Sequence, residues 1–187
     1  MVIDNETGGV LAIVGGRNAN ESQFNRALQS KRQIGSPFKP FMFLAAFDQE
    51  VKPYDIISDA PIRAGEIPGA DADWRPANSD GKYYKELRVR RALIESRNTS
   101  SIRVATSAGM TNVISVAHTS GFDVSNIPLV PSSYLGSWGA SPENVASAYT
   151  IFPNGGTRFR PYYIQAIKDR SGEVLWKNGP IAYQAAD

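Results

Sequence analysis

The residues best suited to chemistry are a hydroxyl and an amine three positions apart, Ser36-Pro37-Phe38-Lys39, and a second polar group later in the chain, Ser96-Arg97-Asn98. A serine oxygen attacks a carbonyl well only when a neighbouring base takes its proton, and an unprotonated lysine can be that base. Residues three apart on a helix are neighbours, with Cβ atoms about 5–6 Å apart, so Lys39 is expected to reach Ser36. There the amine would sit at the positive end of a helix among aromatic side chains. Helix dipole and loss of water would both lower its pKa toward neutrality. The combination points to an acylatable serine.

Ser-x-x-Lys alone is weak, and the chain carries its own control: Ser79-Asp80-Gly81-Lys82 fits the pattern, but its Asp-Gly core after Pro76-Ala77-Asn78 marks a turn. Around Ser36 the surroundings differ. Gly35 precedes the serine, Pro37 follows, and Phe38 to Phe47 is apolar on nearly every side, the signature of a capped helix that belongs in a core. Alternatively, Ser36 only caps that helix and Lys39 snorkels to water. Pro40 cannot donate to the carbonyl of Ser36, so the backbone there is expected to be irregular.

A second helix is expected over Leu87 to Glu95, with Val89, Ala92 and Leu93 on one stripe that Ser96 extends inward. Asn98 then falls in a tight bend before a helix from Ser100 to Ala108 capped by Thr99, where its amide can project into a cleft or simply serve a polar turn.

Taken together, these segments resemble the transpeptidase domain of penicillin-binding proteins, most closely the class A type. The likeness rests on Gly9-Val10-Leu11-Ala12-Ile13-Val14-Gly15-Gly16-Arg17, Phe24-Asn25-Arg26-Ala27, Gly35 to Phe41, Trp74-Arg75-Pro76-Ala77-Asn78, Ser96-Arg97-Asn98-Thr99, Leu135-Gly136 and Ser141-Pro142. It implies an α/β fold, in detail α+β, of the serine beta-lactamase and penicillin-binding-protein type: a helical subdomain plus an incomplete antiparallel sheet. It also implies roles: Ser36 as nucleophile, Lys39 as general base, Ser96 as proton relay toward the leaving amine, and Asn98 as holder of the substrate amide. The implied partners are peptidoglycan stem peptides, with beta-lactam antibiotics as acylating inhibitors, and no cofactor. The implied location is periplasmic, at the outer face of the cytoplasmic membrane.

One family motif, Lys-Thr-Gly or Lys-Ser-Gly on an inner strand, occurs nowhere in the 187 residues. The nearest lysines, Lys168 and Lys177, stand in Lys-Asp-Arg-Ser-Gly and Lys-Asn-Gly-Pro, which read as turns. In the family that strand binds the substrate carboxylate and supplies an oxyanion donor, whose loss costs on the order of 10²–10³ in rate. Since the motif would follow Asp187, a truncated domain is expected, completed by a C-terminal segment or chain that carries the Lys-Thr-Gly strand. Its expected parts are a sheet hairpin at 1–16, the core helix with the serine at 35–49, a mainly helical subdomain at 50–160, a hairpin at 161–176 and a tail at 177–187.

Two other functions remain open. A serine beta-lactamase would need a carboxylate to activate water, and Glu95 is the only acid beside either motif. A non-catalytic binding or sensing module would keep the fold without turnover, and the missing motif favours it.

Composition excludes several classes. No cysteine is present, which removes thiol nucleophiles and zinc–thiolate sites. The net charge is only +2, and the basic cluster Arg88, Arg90, Arg91 with Lys82 and Lys85 is flanked by Glu86 and Glu95 without interleaved aromatics, so a solvated helix face fits better than nucleic-acid binding. His118 has no acid near it in sequence. Asp71 and Asp73, in the loop expected over Pro53 to Asn78, are too few for a hard-cation site. Gly155-Gly156 lacks the lysine of a phosphate loop. Trp74 and Tyr134 are candidates for a groove wall or for pinning their own loops.

Overall fold

A computed structural model describes residues 1–186, so Asp187, the last residue of the expected tail, lies outside the described residues. In chain order the elements are β1 (Val2–Ile3), β2 (Val10–Ala12), α1 (Arg26–Gln29), β3 (Arg32–Gln33), α2 (Lys39–Phe47), β4 (Ile56–Ser58), β5 (Glu86–Arg88), α3 (Val89–Ile94), α4 (Asn98–Ala108) and α5 (Met110–Thr119). They continue with β6 (Gly139–Ala140), α6 (Pro142–Tyr149), β7 (Thr157–Phe159), β8 (Ala166–Lys168), β9 (Val174–Lys177) and β10 (Ala182–Gln184). Helices and antiparallel strands are mixed, as the expected α/β class requires. The chain divides into two units: Met1–Arg32 with Thr119–Phe122 and Ala140–Asp187, and Gln33–His118 with Asp123–Gly139.

The first unit is built from hairpins. β1 pairs with β2 around a turn in which the Asp4 carboxylate accepts from the N–H groups of Glu6 and Thr7 and from the Thr7 hydroxyl. One edge of this hairpin is partly covered, because the Val10 N–H donates to Tyr162 O at 2.9 Å. α6 opens with a capping box between Ser141 and Asn144, as Ser-Pro before an apolar run suggests. β8 and β9 form the second expected hairpin, with Lys168 and Lys177 as the last residues of their strands rather than turn residues.

The expected tail is corrected in one place: Ala182–Gln184 forms β10, paired with β7 in the register Tyr183↔Arg158. Both faces of β10 are exposed, so no alternation of polar and apolar residues announced it.

The second unit holds an apolar core in which α2 packs on α4. Phe41, Met42, Phe43, Ala45 and Ala46 of α2 are fully buried, against Ile102, Val104 and Ala105 of α4. Phe38 meets Trp138 edge to face at 5.0 Å. The long loop expected over Pro53 to Asn78 contains β4, which pairs with β5 in the register Ile57↔Leu87. That pairing shortens the helix expected from Leu87, because Glu86–Arg88 is drawn into a strand and α3 starts only at Val89. Among the described residues no helix is long and apolar enough to cross a membrane.

Candidate active site

Gly35 adopts φ 62° and ψ −146°, a region closed to side-chain-bearing residues, and so turns the chain into Ser36. Its N–H donates to Gly136 O at 2.9 Å, and Gly136, at φ 68°, comes so close that a Cβ there would lie 2.4 Å from Gly35 O. This contact gives the Leu135-Gly136 pair its structural meaning. Ser36–Phe38 then makes one 3₁₀ turn, with the Lys39 N–H on Ser36 O, before α2 begins at Lys39. The irregular backbone expected at Pro40 is this turn. The carbonyl of Ser36 is satisfied three residues on, and Pro40 lies in the first turn of α2, where a backbone donor has no partner anyway.

Lys39 does not snorkel: it is 1% exposed. Its Nζ donates to Ser96 O at 2.6 Å, Asn98 Oδ1 at 2.7 Å and Ser96 Oγ at 3.0 Å. Burial, and next the charge of Arg97, push its pKa from the ordinary lysine value down to about 8. The sequence expectation of a lowered pKa agrees in direction and in the part played by burial; the second cause is the guanidinium, not the helix end.

Lys39, expected to reach Ser36, makes no hydrogen bond with it. The Ser36 side chain is exposed and makes no hydrogen bond among the described residues, nor does it cap α2. The physical reason is the proton count. An ammonium has three donors and no lone pair, and three oxygens already take them.

Ser96 has φ 52°, left-handed for a non-glycine residue. It occupies the position after α3 that glycine normally fills, with the Ser96 N–H on Leu93 O at 3.0 Å and the Arg97 N–H on Ala92 O at 2.9 Å. The bend delivers both the carbonyl and the hydroxyl of Ser96 to Lys39. A strained serine in a glycine position is the kind of local cost that persists where a side chain is needed.

Asn98 is the first residue of α4. Its Nδ2 donates to Ala77 O at 2.7 Å, so each end of its amide already has one partner. The helix is not capped by Thr99 as expected. Asn78 caps it from a distant loop, its Oδ1 accepting from the N–H groups of Asn98 at 2.7 Å and Thr99 at 3.3 Å.

Beneath these residues lies a group that sequence reasoning missed, Asp59, which is fully buried. Its Oδ2 accepts from Arg97 Nε at 3.0 Å, from a terminal Arg97 nitrogen at 2.8 Å and from the Tyr84 N–H at 3.0 Å. Its Oδ1 accepts from Thr99 Oγ1 at 2.7 Å, Ser100 Oγ at 2.9 Å and Asn78 Nδ2 at 3.2 Å. Desolvation alone would raise the Asp59 pKa. Arg97, the Tyr84 N–H and the hydroxyls of Thr99 and Ser100 outweigh it and hold the carboxyl at about 2. Arg97 also meets Asp80 at 2.9 Å and stacks on Tyr84 at 4.9 Å.

Glu95 is engaged elsewhere, bonded to Arg91 one turn back on the exposed side of α3. Tyr134 is buried, while Trp74 is half-buried and His118 exposed. Among the described residues no three His, Cys, Asp or Glu side chains gather to hold a metal ion.

Ser36, Lys39, Ser96 and Asn98 thus come from two helix starts and one helix end within a single unit, and the amine of one is bonded to two of the others. Residues 1–187 match the family described as the penicillin binding protein transpeptidase domain. Penicillin-binding protein 1A of Rickettsia conorii is 39% identical over 178 residues, covering 95% of this chain and 22% of that protein. The Pseudomonas aeruginosa protein of the same name is 37% identical with the same coverage. The chain therefore spans about a fifth of the length of these curated relatives. The crystal structure of penicillin-binding protein 1A from Haemophilus influenzae superposes with a TM-score of 0.89 at 32% identity, covering 97% of this chain and 27% of that one. PonA1 from Mycobacterium tuberculosis, solved in complex with penicillin V, superposes with a TM-score of 0.77 at 26% identity, covering 94% and 48%. The chain belongs to the transpeptidase domain family of penicillin-binding proteins.

Proposed function

We propose that this chain carries the acyl-transfer site of a peptidoglycan D,D-transpeptidase acting at the periplasmic face of the cytoplasmic membrane. The observation that carries the proposal is the buried amine of Lys39, three residues from an unengaged Ser36 hydroxyl and bonded to Ser96 and Asn98. Once Lys39 loses a proton, its two remaining N–H groups suffice for the two carbonyl-type acceptors, Ser96 O and Asn98 Oδ1. The freed lone pair is then available to a hydroxyl.

In the proposed reaction, Ser36 Oγ attacks the carbonyl between the two terminal D-alanines of a stem peptide and its proton passes to Lys39. The C–N bond breaks, Ser96 relays a proton to the departing D-alanine amine, and an ester remains on Ser36. The amine of a neighbouring stem peptide then attacks the ester and regenerates the hydroxyl. Asn98 has one amide hydrogen beyond its bond to Ala77 with which to hold the substrate backbone. A beta-lactam would enter by the same attack, its ring amide opening onto Ser36. Glu95, the acid beside Ser96 in sequence, is paired with Arg91, and the two carboxylates near the second motif, Asp59 and Asp80, are both bonded to Arg97, which disfavours a beta-lactamase.

The Lys-Thr-Gly strand is the element that full turnover would still require, and a C-terminal segment or partner chain is proposed to provide it. The test is labelling with a fluorescent penicillin, on this chain and on the chain joined to a Lys-Thr-Gly segment. Durable label on Ser36, faster in the joined protein and abolished in Ser36→Ala, is the expected result. Label that persists in Ser36→Ala removes the nucleophile, and no label in either protein favours a non-catalytic module.

The pH dependence follows from Lys39. At pH 7 only about one molecule in ten carries the neutral amine, and acylation should fall about tenfold per pH unit below about 8. A rate constant that stays level down to about pH 5 excludes Lys39 as the base.

A further inference from the structure

The polar cluster behind the amine does more than fill space. Asp59 touches four side chains bearing on the segment from Ser96 to Ser100: Arg97, Asn78, Thr99 and Ser100. Each leads back to Lys39 by a short route. Arg97 lies between the two residues that bind the amine. Asn78 holds the Asn98 N–H, while Ala77 next to it holds the Asn98 side chain. Thr99 and Ser100 tie the first turn of α4 to the carboxylate. We propose that Asp59 is a positioning residue for the Lys39 amine, fixing the Ser96–Asn98 segment that binds it and balancing the charge of the guanidinium that stands between those two residues.

The second half of this role separates positioning from mere support. Other ionisable groups on the elements packed against α2 are accounted for: Arg91 pairs with Glu95, Arg103 with Glu66, Arg90 is exposed, and the buried Tyr134 phenol is pushed up by desolvation and stays neutral. Asp48 follows the far end of α2. Arg97 is the cation whose field lowers the Lys39 pKa, and its guanidinium is itself paired with Asp59 and with the more exposed Asp80. Removing the Asp59 charge should therefore make Lys39 lose its proton at lower pH, and removing the Arg97 charge should do the reverse. A role in folding alone gives a different pattern, because a loosened cluster admits water and moves Lys39 back toward the ordinary lysine value in both variants.

The inference rests on the proposed role of Lys39 as base, but its test needs no acylation. The ε-carbon resonance of Lys39 is followed against pH in lysine-labelled full chain and assigned by its loss in Lys39→Met. The expected result is a midpoint lowered by about one unit in Asp59→Asn, raised by about one unit in Arg97→Gln, and intermediate in the double variant. Upward movement in both single variants, or movement in neither, overturns the proposal. Should Asp59→Asn not fold, Asp80→Asn takes its place, with a smaller downward shift expected; an unchanged or raised midpoint there, or an unshifted midpoint in Arg97→Gln, overturns it equally. Loss of Ser36 labelling with the Lys39 shifts intact would instead count against the acyl-transfer reading alone.

Discussion

The surroundings of Asp59 and the hairpins of β8, β9 and β10 are inverted with respect to each other. Around Asp59, polar side chains lie inside: Asp59, Arg97, Asn78, Thr99, Ser100 and Lys39 are all buried, and each is bonded. In the hairpins apolar side chains lie outside: Ile164, Ile167, Val174, Leu175, Trp176 and Ile181 are exposed. Residue hydropathy misjudges both regions, in opposite directions. A buried polar group costs free energy unless it is paired, so the inner cluster persists only as a complete set, with Asp59 bonded to the Asn78, Arg97, Thr99 and Ser100 side chains. The hairpins carry no such mutual dependence. Their strands are short, paired two by two, and organised by turns such as the one in which Asp169 accepts from the Ser171 and Glu173 N–H groups. Single substitutions should therefore be severe in one region and mild in the other.

The sharpest break comes from the amine. Lys39→Met keeps the length of the side chain and removes the proposed base, and acylation by a fluorescent penicillin should slow by about 10²–10⁴-fold. A slowing under tenfold would mean that some other group takes the serine proton. Next is the apolar wall: Phe41→Ala, at a fully buried position, should lower unfolding free energy by about 3–5 kcal/mol in denaturant titration.

Acid then tests the carboxylate. Asp59 has a folded pKa of about 2 against 3.8 for the free group, so its contribution is complete above the unfolded value and disappears as pH falls through the folded one. About 2 kcal/mol should be lost between pH 4 and pH 2 in the wild type, and Asp59→Asn should lack that component.

Smaller still is the strain at Ser96. Ser96→Gly and Ser96→Ala both lose the hydroxyl, but the glycine variant should be about 1 kcal/mol more stable, because only alanine must be forced into the left-handed region. On the hairpin side, Leu175→Thr at a position 64% exposed should change stability by less than about 0.5 kcal/mol. A loss of 2 kcal/mol there would show that β9 is covered in solution and would end the contrast.

What could be read in the sequence follows the same division. The placement of Ser36, Lys39, Ser96 and Asn98 was legible because they sit at helix ends marked by Gly35, Pro37 and apolar stripes. α2 was legible for the same reason. Asp59 was not, since its partners lie 19 to 41 residues away and no spacing rule joins them. The one available hint was a lone acid closing the short apolar strand Ile56-Ile57-Ser58 before Ala60-Pro61. The start of α3 was misplaced because Leu87 fits a helical stripe and a strand equally well, and pairing with Ile57 decided in favour of the strand. The mode of Lys39 binding was hidden too: spacing along the helix brings Ser36 near, whereas the competing oxygens arrive from another segment.

The capping of α4 by Asn78, from a distant loop of the same chain, has an evolutionary consequence. Asp59 and Asn78 are both moored to the same helix, and Arg103 adds bonds to the carbonyls of Ser58 and Ala60 and to the Glu66 carboxylate. Between these moorings, Pro68 to Asp73 forms a tip whose length is decoupled from the chemistry, since doubling a closed loop adds only about 0.6 kcal/mol of entropy. Insertions and deletions that distinguish one homologue from another should accumulate at that tip, while the residues at its two feet stay fixed in register.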